Sequence, residues 1–70
     1  MHQANVHGIV NGDRIRRGDL RGHVTGIWEG RYIQVLWNRP GIPLMWNSDG
    51  FTAEEARRFR REGEVWIIET

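Results

Sequence analysis

Apolar and polar residues alternate in short runs along this chain, and Gly12-Asp13, Gly18-Asp19, Glu29-Gly30 and Pro40-Gly41 interrupt the runs. A period of two punctuated in this way predicts strands joined by tight turns. The clearest run, Arg31 to Asn38, sets Ile33, Val35 and Trp37 on one face and Tyr32, Gln34, Leu36 and Asn38 on the other. Before it, Arg14-Ile15-Arg16 predicts a short strand with Ile15 inward. Residues 20–28 admit two registers. A regular strand groups Leu20, Gly22, Val24, Gly26 and Trp28, whereas a bulge near Thr25-Gly26 sends Ile27 inward and Trp28 outward. After the Arg39-Pro40-Gly41 turn, Ile42 to Trp46 predicts a strand in which Pro43 marks either an edge or the first residues. Asn47 to Gly50 predicts a loop.

A helix is predicted next. Thr52 and Glu55 have capping-box spacing, Phe51 can staple onto Ala56, Glu54–Arg58 and Arg58–Glu62 are spaced for ion pairs, and Gly63 is the expected stop. Val65 to Ile68 reads as a last strand. Residues 1–11 are mostly polar and predict a flexible N-terminal arm that firms near Ile9, followed by one domain over 12–70. The expected class is therefore all-β: a small five-stranded barrel with one short α-helix before the last strand.

Composition narrows the chemistry. With no Cys, neither a disulfide nor a thiolate zinc site can support so short a chain, so its four Trp, two Phe and one Tyr must supply the core. Trp37 and Trp66 lie in the most apolar runs and are expected inside, while Trp28 and Trp46 flank turns and are expected outside. The net charge of +1 belongs to an ordinary surface, with all ten strong bases Arg and none Lys. No apolar run is long enough to span a membrane, and the first residues lack the basic start and apolar stretch of a secretory signal. A cytoplasmic location without membrane contact is expected. Enzyme signals are thin. The sole Ser, Ser48, sits in a turn-forming run, His2 and His7 fall in the arm, and no Gly-rich phosphate loop is present. No catalytic residue, metal or cofactor is assigned.

The stretch Gly12-Asp13-Arg14-Ile15-Arg16, followed by Gly18, Leu20, Gly22, Val24 and Ile27 at their spacing, resembles the KOW motif of SH3-like barrels, a group that includes Tudor-like domains. The resemblance covers residues 12–69, and the longer helix departs from the single turn usual there. The architecture is also similar to the type II, trimethoprim-insensitive dihydrofolate reductases, whose opening motif Gly12 to Arg16 matches. Their pore carries a Val-Gln-Ile-Tyr strand and a Lys. Pro43-Leu44-Met45-Trp46 stands in place of that strand and there is no Lys, so the resemblance implies the fold first and leaves a reductase of that type as the lesser alternative.

Barrels of this kind imply binding. Clustered Arg beside aromatics suits phosphates and unpaired bases, so Arg16, Arg17, Arg21, Arg31, Tyr32 and Trp46 are the expected contacts to nucleic acid or a nucleoprotein complex. The alternative is a protein partner or a homo-oligomer, as in a phage assembly subunit, met through Trp28, Arg39, Arg57 and Arg61. Against both stands a charge-balanced solvated surface, because Asp and Glu interleave with the Arg along the sequence.

Overall fold

A computed structural model describes residues 5–69. Its elements are β1 (Arg14–Arg17), β2 (Leu20–Trp28), β3 (Tyr32–Trp37), a 3₁₀ turn (Leu44–Trp46), β4 (Ser48–Thr52), α1 (Ala53–Ala56), β5 (Arg60–Glu62) and β6 (Val65–Ile67). The protein is mainly β, as the alternation predicts. The strands form a single sheet in the order β4-β3-β2-β1-β6-β5. Neighbours run antiparallel except β1 and β6, which are parallel. There are six strands rather than five, and the edges β4 and β5 do not pair, so the sheet is open and not closed into a barrel.

Two local expectations fail for non-local reasons. Ile42 to Trp46 is not a strand. Asn47, which is buried, donates from Nδ2 to the Trp37 carbonyl at 2.6 Å and accepts from Arg39 Nε at 2.7 Å, folding the preceding residues into the 3₁₀ turn. The strand lies instead in the polar run Ser48–Thr52, where Phe51 is buried, Asp49 shares its side of the strand but stays exposed, and Ser48, Gly50 and Thr52 take the other side. The helix also stops early. Both capping-box bonds form, Glu55 N–H to Thr52 Oγ1 at 3.2 Å and Thr52 N–H to Glu55 Oε1 at 3.0 Å. Beyond Ala56 and Phe59, however, the segment has no apolar stripe to bury, and Arg60–Glu62 pair with β6 instead. Gly63, at φ 59°, turns this hairpin rather than ending a helix.

The bulged register holds in β2. Val24 pairs with Val35 and Gly26 with Gln34, so Thr25 is the extra residue, Ile27 turns toward the core and Trp28 outward. Val6, Ile9, Ile15, Val24, Ile33, Val35, Trp37, Phe51, Ala56, Trp66 and Ile68 form the core. Of the expected arm, residues 1–4 lie outside the described residues. Val6 and Ile9 are fully packed: they bond reciprocally across a His7-Gly8 turn, where a Cβ added at the glycine would meet the Trp66 ring at 3.9 Å. Hydrophobic burial outweighs the polar character of this segment, because two aliphatic side chains suffice to cap one end of the core.

The two buried indoles are held alike. Trp37 Nε1 donates to Asp49 Oδ2 at 2.6 Å and Trp66 Nε1 to Asp13 Oδ2 at 3.0 Å. An Arg guanidinium lies over each ring, Arg17 over Trp37 and Arg61 over Trp66, both at 5.1 Å. Each ring thus buries its apolar body while its one donor is satisfied by a carboxylate.

Candidate nucleic-acid interface

The outer face of the sheet, opposite the core, carries the candidate site. Across the Gly18-Asp19 turn, Arg14 pairs with His23 and Arg16 with Arg21, which sets these four side chains on one face while Ile15 points inward. On the other side of β2, His23 pairs with Leu36, Gly26 with Gln34 and Trp28 with Tyr32, all outward. One surface therefore runs from a cationic end (Arg14, Arg16 and Arg21, with His23 beside them) along β2 to an aromatic end (Trp28, Tyr32). At the rise of an extended strand, the distance from Arg21 to Trp28 is roughly 20 Å.

The aromatic end is shaped by two glycines. Trp28 and Tyr32 meet edge to face, with centroids 5.8 Å apart at 61°. The Trp28 ring lies over Gly26, where an added Cβ would come within 2.6 Å of Cη2. The Tyr32 ring lies over Gly50 so closely that a Cβ there would collide with the phenol. Both rings stay open to solvent, at 50% and 42% exposure. A glycine on the outer face of a strand thus becomes a seat on which a ring lies down.

At the cationic end, β1, β2 and β3 contain no Asp or Glu. Among the described residues, the ion pairs involve only Arg17, Arg57 and Arg60, so Arg14, Arg16 and Arg21 have no carboxylate partner. Arg16 and Arg21 are placed directly opposite each other, an arrangement that costs stability. The buried Nε of Arg16 makes no hydrogen bond. Arg14 and Arg21 also flank a shallow groove that continues over Gly22, His23, Leu36 and Asn38.

Of the expected nucleic-acid contacts, Arg16, Arg21 and Tyr32 come together on this face, and Arg31 follows the hairpin turn beside Tyr32. Arg17 does not join them: it turns toward Asp49 at 3.4 Å and covers Trp37. Trp46 belongs to the loop before β4. The expected protein contacts do not form one surface. Trp28 joins Tyr32. Arg39 braces its own loop through Asn47 Oδ1 and the Trp46 carbonyl, both at 2.7 Å. Arg57 follows α1 and lies 3.8 Å from Glu54, while Arg61 covers Trp66 and bonds the Gly63 carbonyl at 2.9 Å. Sequence reasoning missed Arg14 and His23. Folding the first two strands about Gly18-Asp19 would have paired them.

The loop from Ile42 to Trp46 is the most exposed apolar part of the chain, with Leu44 at 69%, Met45 at 79% and Trp46 at 72% exposure. Leu44 and Met45 line the far side of the outer face together with Leu36, Gln34 and Ser48. Among the described residues, no three His, Asp or Glu side chains gather as a metal site would need, and no helix is long and apolar enough to cross a membrane. Set against protein-family models, curated proteins and solved structures, the chain matches none of them.

Proposed function

We propose that this chain is a small non-enzymatic binding module that takes a single strand of nucleic acid along the outer face of β1, β2 and β3. The carrying observation is that the part of the outer face formed by β1, β2 and β3, which bears Arg14, Arg16, Arg21 and His23 and no acidic residue, also bears the open Trp28–Tyr32 pair; Glu62 of β5 lies two strands away and is paired with Arg60. Phosphates suit the guanidinium end and unpaired bases suit the ring end, the combination by which strands are held without sequence readout. A duplex keeps its bases stacked on one another and would leave the rings unused. The KOW-like segment is part of this reading, since Gly12 to Ile27 spans β1 and β2, the strands that carry the cations. So is the relation to SH3-like barrels, with the six-stranded sheet read as a barrel left open between β4 and β5.

Filter binding of 12-nucleotide single-stranded DNA and RNA, and of the matching duplexes, tests the proposal at 50 mM and 300 mM salt. Single strands are expected to bind at low salt, to weaken sharply at high salt, and to outcompete duplex. The double variant Arg14→Ala/Arg21→Ala and the single variant Trp28→Ala should each weaken binding at least tenfold. Absence of binding at 50 mM salt, or binding indifferent to these substitutions, overturns the reading. A partner protein on the same face would then be the better account.

A further inference from the structure

We infer that β4 and the loop before it form a contact for a second copy of this chain. The two edges of the sheet are built differently. The β5 edge is Arg60-Arg61-Glu62, charged along its whole length, which is how natural edges are kept from pairing. The β4 edge, Ser48-Asp49-Gly50-Phe51-Thr52, carries a single charge, that of Asp49, whose half-exposed carboxylate is engaged by Trp37 and Arg17. Hydrogen bonds from Trp37 N–H to the Asn47 carbonyl and from Ala53 N–H to the Arg31 carbonyl fix the alternation. It leaves the Ser48 and Gly50 backbone groups pointing away from β3. Among the described residues no strand occupies that side.

A two-fold axis at Gly50 lets the Gly50 N–H and carbonyl bond their counterparts and turns the Ser48 N–H toward the Thr52 carbonyl, while the Thr52 N–H stays with Glu55 Oε1. Gly50 then meets Gly50 of the second copy, Ser48 meets Thr52, and Asp49 meets Phe51, so no like charges are opposed. The same axis carries Leu44, Met45 and Trp46 toward the start of α1 of the second copy. The loop is already ordered by the Arg39 and Asn47 bonds and by Ser48 Oγ donating to the Leu44 carbonyl at 3.1 Å, so little freedom is lost on contact. Ile42, Leu44, Met45 and Trp46 at their observed exposure offer on the order of 500 Å² per copy. With the strand edge added, that approaches the ~800 Å² per partner of a stable interface.

Sedimentation velocity between 1 and 300 µM, with no nucleic acid present, tests this apart from the preceding proposal. A monomer–dimer equilibrium is expected, and Met45→Asp should weaken it at least tenfold while leaving the thermal unfolding of the dilute protein unchanged. Amide exchange at Ser48 and Gly50 should slow at high concentration. A monomer throughout the range overturns the inference. So does a dimer unaffected by Met45→Asp, or one in which both amides exchange equally fast at all concentrations.

Discussion

Gly22 and Gly50 both lie on strands, and neither is there for its backbone freedom. A Cβ at Gly22 would fall 2.5 Å from the Leu36 carbonyl oxygen and 2.8 Å from the Trp37 ring, against backbone and core that cannot yield. At Gly50 the obstacle is the phenol end of Tyr32, a surface side chain free to swing away. The same substitution should therefore act in opposite ways. Gly22→Ala is expected to cost about 1–3 kcal/mol in urea unfolding, the range for overfilling a packed site. Gly50→Ala should change stability by less than about 1 kcal/mol. It should nonetheless weaken single-strand binding several-fold, because Tyr32 loses its seat. Equal stability losses for the two variants would contradict this assignment.

At the scale of elements, the segment before β1 behaves as part of the core. Ile9 is fully buried and bonded to Val6 in both directions, so Ile9→Ala should lower stability by about 2–5 kcal/mol, measured by thermal or chemical unfolding. A change within a few tenths would mean that the segment is detached. What was legible in the sequence was what neighbours in the chain decide. The Thr52–Glu55 cap, the Glu29-Gly30 turn and the faces of β3 each depend on a handful of consecutive residues. The 3₁₀ turn and β4 were not legible, because Arg39, Asn47 and Trp37 settle them through bonds spanning a loop. The short α1 is decided by β6, which offers Arg60–Glu62 a partner that no local pattern announces. The candidate site was half legible for the same reason. Arg16, Arg21 and Tyr32 read as cations and a ring, but bringing His23 beside Arg14 requires the register of a folded hairpin.

For the whole molecule, a net charge of +1 conceals a division. The acids lie in turns, in β4, in α1 and toward the end of the chain, while β1, β2 and β3 carry only bases. Binding should follow this local field rather than the total. With Arg14, Arg16 and Arg21 each neutralising a phosphate, the logarithm of affinity against the logarithm of salt should fall with a slope of about −2. A slope near zero would exclude the cationic end from the contact. The four tryptophans share in this division, since Trp37 and Trp66 are shut inside, Trp28 stands on the sheet face and Trp46 on the loop. The molecule consequently carries its own pair of optical reporters. The inner indoles give a steady blue-shifted background, and the emission of the other two answers to different events, Trp28 to an oligonucleotide and Trp46 to crowding of the protein with itself. An unlabelled sample read against acrylamide can therefore follow both.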